Sequence, residues 1–171
     1  MYRKGLCHVP VPYRRVVDAL LKELLRRLQS RLISLVVYGS VARGDARKDS
    51  DLDVLVVIEG LPRSRLQRSY MFGEVEDSIE EVLEELWDRG YFIAISPVLK
   101  TPEEARKISP LYLDMVEDAV IAYDRGGFFQ SVLERLRRRL EELGAERVWI
   151  GKKWYWRLKK DFKFGEVVVI E

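Results

Sequence analysis

Hydrophobic positions along the chain fall into two kinds of pattern. Two short unbroken apolar runs, Leu32 to Tyr38 and Leu52 to Ile58, flank a polar loop and read as buried strands. Upstream, Val16, Leu20, Leu24 and Leu28 recur at helical spacing, which predicts a helix from Tyr13 to Leu32 with its basic residues mostly off the stripe. Residues 1–12 read as an extended lead, because Pro10 and Pro12 discourage an early helix. Gly60 and Pro62 break the chain after the second run. A long helix is then predicted from Ser64 to Arg89, with Val75, Ile79, Val82, Leu83 and Leu86 on one face; its basic first half, Arg63 to Arg68, reads either as a mobile, phosphate-facing loop or as a helix start. Gly90 ends it, and Tyr91 to Leu99 reads as a third strand, which Pro97 assigns to a sheet edge or an early end of pairing.

Thr101-Pro102-Glu103-Glu104 supplies the cap, proline and acids of a helix start. Pro110 to Glu117 reads as helical, and Ala119 to Tyr123 as a strand or a continuation of that helix. Phe129, Val132, Leu133, Leu136 and Leu140 give Phe128 to Leu143 a helical stripe, closed by Gly144. Strands alternating with helices predict an α/β fold. The chain divides into a domain over residues 1–125 and a C-terminal helix and tail over 126–171, packed on the same domain.

The tail changes the picture. Trp149, Trp154, Tyr155, Trp156, Phe162 and Phe164 are interleaved with Lys152, Lys153, Arg157, Lys159, Lys160 and Lys163. Such a mixture stacks bases and holds phosphates, or docks as a strand or hairpin with its lysines wet. Trp154 and Trp156 share a face under strand alternation, which suits docking. The sequence supports both readings.

Composition narrows the class. A length of 171 residues buries a real core, and the net charge of +2 gives no global pull toward nucleic acid. Asparagine is absent and Arg, Lys and Glu abound, as in thermophilic proteins. One cysteine, Cys7, makes no internal disulfide, and with a single histidine, His8, it makes no closed zinc site. No apolar run approaches a membrane span and no signal-like apolar core follows Met1, so a cytoplasmic protein without membrane contact is expected.

The loop between the first two strands carries the chemistry. Asp51 and Asp53 project from one side at the mouth of the second strand, roughly 7 Å apart along the chain. Two such carboxylates are costly unless a cation sits between them, and Mg²⁺ suits, since it takes oxygen ligands together with substrate phosphates. Gly39 permits a tight turn and close approach, Ser40 opens a short helix, and Arg43, Arg47 and Lys48 add positive charge. Together these point to metal-assisted phosphoryl or nucleotidyl transfer, with one or two ions. A Walker A loop fails because Asp45-Ala46 follow Gly44 where Lys-Ser/Thr is required. An EF-hand fails because Val54 stands where its glycine must be. A bare turn with two solvated aspartates leaves the Gly-Ser spacing unexplained.

Gly39-Ser40 followed by Asp51-Leu52-Asp53 in an apolar strand resembles the signature of the DNA polymerase β-like nucleotidyltransferase superfamily. The wording GSVARGDARKDSDLDVLV is most similar to the minimal nucleotidyltransferase branch of bacteria and archaea, over about residues 32 to 58. The resemblance implies a small mixed β-sheet with helices packed on it, Mg²⁺ at Asp51 and Asp53, and the triphosphate of ATP or another NTP at Gly39 and Ser40. Arg43 or Lys48 would neutralise its charge. It also implies transfer of a nucleoside monophosphate, often AMP, to an acceptor hydroxyl on RNA, protein or a small molecule. Members of this branch also pair with HEPN-type proteins, so the second reading is a nucleotide-binding, antitoxin-like partner module. A third reading is RNA binding through the tail. The chain departs from the family at its third metal-binding carboxylate: Tyr91 to Ser96 contains no acid. Ser96 holding a metal-bound water, or Asp114 or Glu117 turning in, are the alternatives.

Overall fold

The computed structural model describes residues 1–151, 153–161, 163 and 166–170. Strands β1 (Arg3–Lys4), β2 (Leu32–Val37), β3 (Leu52–Ile58), β4 (Ile95–Lys100) and β5 (Val120–Asp124) form one sheet in the order β1-β5-β2-β3-β4. β2 runs antiparallel to both β3 and β5, whereas β1 with β5 and β3 with β4 are parallel, so the sheet is mixed. The two apolar runs lie beside each other at its centre. Every residue of β2 is buried, and every residue of β3 except Asp53, which is half-buried.

Strand alternation divides the core between the two faces. Leu52, Val54, Val56 and Ile58 face one cluster with α1 (Tyr13–Leu28), α3 (Arg65–Asp77) and α4 (Glu80–Trp87). Leu55 and Val57 face the other, with α5 (Pro102–Arg106), α6 (Leu111–Asp118) and α7 (Phe128–Leu143). There Tyr112 and Phe129 meet edge to face at 5.2 Å. Asp124 opens α7 by accepting from the backbone N–H of Phe129 and Gln130, and it also accepts from the buried Ser34 hydroxyl at 2.6 Å.

Several elements differ from the sequence expectation. The first helix ends at Leu28, and a tight turn over Gln29–Arg31 leads into β2. The long helix expected from Ser64 to Arg89 is two helices. Ser78 bonds its hydroxyl back to the Glu74 carbonyl, competing with the helical ladder, and the chain re-aims at buried Ile79. The third strand starts only at Ile95, because Phe92 gives its N–H to the Lys48 carbonyl at 2.8 Å instead of to a strand. Pro97 lies in β4, which is an edge strand. The lead contributes a strand, β1, fixed by Tyr2 N–H on the Val116 carbonyl at 3.0 Å. The run read as strand or helix continuation at Ala119 to Tyr123 is strand β5, Val120–Asp124.

The tail forms a hairpin, β6 (Glu146–Ile150) and β7 (Lys153–Arg157). Trp154 and Trp156 point to one side, and both indole N–H groups donate to Asp114 Oδ1 on α6, at 2.9 and 2.8 Å. Arg147 pairs with Asp118 on the same helix. The hairpin therefore docks on the domain through its aromatic face, while Lys152, Phe162 and Phe164 lie outside the described residues. Among the described residues no helix is long and apolar enough to cross a membrane.

Candidate active site

The site begins where β2 runs out. The β2–β3 ladder continues one step past the strand, with Tyr38 N–H on the Asp53 carbonyl at 3.1 Å. Gly39 then turns with φ +70° into a five-residue helix, α2 (Gly39–Arg43). A Cβ built on Gly39 would lie 2.1 Å from Asp53 Oδ2. The corner thus admits only glycine, because the Asp53 carboxylate fills the space beside the turn.

Helix α2 closes at once. Gly44, at φ +84°, and Asp45 both give their N–H groups to the Ser40 carbonyl, at 3.0 and 3.1 Å. The loop to β3 is braced from two sides. Tyr13 donates its hydroxyl to the carbonyls of Arg47 and Ser50, and Phe92 N–H holds the Lys48 carbonyl. Arg47 N–H on Ser50 Oγ at 2.8 Å tightens the turn that delivers Asp51 and Asp53.

Electrostatically the corner is unbalanced. Burial, and then the charge of Asp51, push the Asp53 carboxyl above the usual carboxylate range, against the partial relief of Arg43. Tyr38 rises to about 12 through burial and the Asp53 charge. Arg43 is held by Asp45 at 3.3 Å and by the ring of Trp154, 4.8 Å from the guanidinium carbon. The structure therefore brings Gly39, Asp51, Asp53 and Arg43 together, with Ser40 next along α2. Lys48 sits elsewhere. Its ammonium lies 5.2 Å over the Tyr91 ring, beside a cavity of about 280 Å³ shared with Pro12, Tyr13 and Arg47.

In place of a third acid, β4 puts Ser96 opposite Asp53 in register. Asp114 is close, lining a cavity of about 210 Å³ with Tyr38, Gly39 and Arg43, but its Oδ1 is engaged by the two indoles. Glu117 pairs with the amino terminus at 3.1 Å. Among the described residues no cluster of three or more His, Cys, Asp or Glu side chains forms a metal cage. What remains is a pair of oxygen donors. That set fits an ion that keeps waters and takes its other ligands from a phosphate-bearing guest, as Mg²⁺ does. Trp154 and Tyr38 were absent from the sequence-derived set. The aromatic–cation interleaving of the tail was the only signal for the first; nothing marked the second.

The chain is similar to several known proteins. A family model described as "Nucleotidyltransferase domain" matches residues 17–123. MJ1305 of Methanocaldococcus jannaschii, assigned as a protein adenylyltransferase, is 33% identical over 124 residues, covering 71% of this chain and 79% of that protein. The protein adenylyltransferase MntA of Thermococcus cleftensis is 41% identical over 68 residues, covering 40% of this chain and 62% of the relative. Among solved structures, a toxin–antitoxin crystallised with AMP-PNP overlaps with a TM-score of 0.41 at 16% identity, over 74% of this chain and 91% of its own.

Proposed function

The chain belongs to the nucleotidyltransferase domain family and is a nucleotidyltransferase, and from that premise we propose that it moves AMP from ATP to a hydroxyl group of a protein. In this reading Asp51 and Asp53 hold Mg²⁺, Gly39 and Ser40 receive the triphosphate, and Arg43 neutralises part of its charge. Lys48 reaches the phosphates only by leaving Tyr91. The observation that carries the reading is the Asp53 carboxylate packed into the Gly39 turn, with Asp51 beside it and one nearby guanidinium. Bound there, Mg²⁺ would neutralise the phosphates and polarise the α-phosphoryl group. The chain's own part is positioning and electrostatics, which dominate phosphoryl-type transfer. The acceptor oxygen bonds to the α-phosphorus, the bond from that phosphorus to the α–β bridging oxygen breaks, pyrophosphate leaves, and the hydroxyl proton passes to water. The names of both curated relatives support protein over RNA or a small molecule as acceptor, with a HEPN-type partner the first protein to try.

The test is incubation of the purified chain with Mg²⁺, α-labelled ATP and cell extract. Label on protein, lost with Asp51→Asn and with chelator, is expected. Label on RNA would move the acceptor class. Tight ATP binding without transfer would instead support a nucleotide-binding partner module, the reading that Ser96 in place of an acid favours.

A further inference from the structure

A cavity of about 630 Å³ lies along the outer edge of β4 between that strand and the start of α3. Four cationic side chains line it, Arg63, Arg65, Arg68 and Lys100, against one carboxylate, Glu104. Arg68 is committed. It forms a two-pronged bond to Glu104 at 2.7 and 2.8 Å and donates to the Leu99 carbonyl at 3.2 Å. Arg63 and Arg65 are exposed and make no ion pair among the described residues. Lys100 is half-buried over the Tyr112 ring at 4.8 Å, and burial lowers its affinity for a proton. An anion entering this groove gains from three under-neutralised cations.

The groove runs along β4, the strand that pairs with β3. Asp53 stands opposite Ser96, Pro97 is the first strand residue of the groove, and Lys100 lies four residues beyond Ser96, about 13 Å along the strand. Ser96, Val98 and Lys100 alternate onto the same face as Asp53. The Gly39 corner lies on the β2 side of Asp53, and β4 lies on the other.

We propose that this groove docks the acceptor, and that its occupant is an extended, acidic protein segment. The inference rests on the adenylyl-transfer reading above and adds to it the class of protein it acts on. Three features favour protein over single-stranded RNA. No aromatic ring lines the cavity to stack a base. Leu66 and Tyr70, at 63% and 68% exposure, stand four residues apart on α3 beside the arginines, an apolar strip suited to a partner side chain. The Leu99 carbonyl is already taken by Arg68, and Pro97 offers no N–H. Recognition therefore falls to side chains rather than strand addition.

Fluorescence anisotropy with the full chain and a fluorescein-labelled dodecapeptide of Glu, Leu and Ser tests this. The wild type is expected to bind the peptide, more weakly as salt rises, and Arg63→Glu/Arg65→Glu to weaken binding at least tenfold. The milder Arg63→Gln/Arg65→Gln is expected to weaken it severalfold. Both variants should bind a fluorescent ATP analogue with Mg²⁺ as the wild type does. Excess unlabelled peptide should also suppress label transfer to protein in extract. Absence of peptide binding by the wild type, equal binding by the variants, or tighter binding of an oligoadenylate would each overturn the proposal. Failure of the adenylyl-transfer reading looks different: peptide binding persists, but no ATP analogue binds and no label moves.

Discussion

Gly39→Ala isolates the geometry on which the site depends. Two costs arise, and they are separable. The backbone cost is that of an L-residue held at φ +70°, roughly 1–2 kcal/mol. The contact cost is local. The new Cβ would lie 2.1 Å from Asp53 Oδ2, where ordinary contact begins at 3.4 Å, so the carboxylate must retreat by 3.4 − 2.1 = 1.3 Å. Displacing a reacting group by about 1 Å costs on the order of 10²-fold in rate. Gly44 provides the control. Its φ is +84°, but a Cβ there meets nothing within 4 Å. Thermal unfolding followed by circular dichroism should show a similar loss for both alanine variants, roughly 2–8 °C. Transfer from α-labelled ATP should fall about 100-fold in Gly39→Ala and stay within a few-fold of wild type in Gly44→Ala. If the two variants lose activity equally, the contact with Asp53 is not what Gly39 provides, and the reasoning fails.

Three further outcomes follow from the charges. The Asp53 carboxyl titrates above its unfolded value, so the folded chain holds that proton more tightly; this stability is present in acid and lost as pH rises through the folded value. Asp53→Asn should therefore abolish transfer yet raise the Tm of metal-free protein at neutral pH, with the two melting curves converging near pH 3. The hydrogen bonds from Arg68 lower Glu104 to about 2, so the pair's stability is present above the ordinary 4.5 and lost as pH falls toward 2. Half-exposed as it is, Glu104 is worth at most ~1 kcal/mol, and Glu104→Gln should flatten the acid limb of the Tm–pH curve by that amount. Trp154→Ala removes the ring stacked on Arg43 and one of two donors to Asp114. It should raise the KM for ATP several-fold while kcat changes less, which steady-state kinetics will separate.

The centre of the fold was legible because β2 and β3 are buried on both faces, which forces continuous apolar runs with no polar alternation to misread. The corner was legible for a related reason: glycine at a positive φ, and acids one residue apart, are demands of backbone and charge that few other contexts make. What sequence could not supply was contact between distant segments. The split between α3 and α4 falls at Ser78, whose hydroxyl accepts from Arg27 of α1 at 2.7 Å, and the apolar stripe runs through it unbroken. The two-residue strand β1 exists because β5 offers it an edge. Lys48 looked equivalent to Arg43 by loop position, but the ring that draws it away, Tyr91, is distant in sequence. The docking face of Trp154 and Trp156 follows from alternation, whereas its partner, Asp114, reads in the sequence only as a candidate metal ligand.

That last point bears on the proposed cation site. The charges of Asp51 and Asp53 repel, and with burial this holds the Asp53 carboxyl above its usual range. Arg43 relieves only part of this, because it is shared with Asp45. A third acid would strengthen the pull on a divalent ion, but Ser96 occupies the facing position and Asp114 is held by two indoles. Two donors leave most of an octahedral shell to water and phosphate, so Mg²⁺ alone should bind weakly and the nucleotide should complete its shell. Linkage makes this reciprocal: whatever factor ATP adds to Mg²⁺ affinity, Mg²⁺ adds to ATP affinity. Calorimetric titration of Mg²⁺ with and without a non-hydrolysable ATP analogue should show at least a tenfold coupling. Tight Mg²⁺ binding to the nucleotide-free chain would mean that the protein supplies a ligand beyond Asp51 and Asp53.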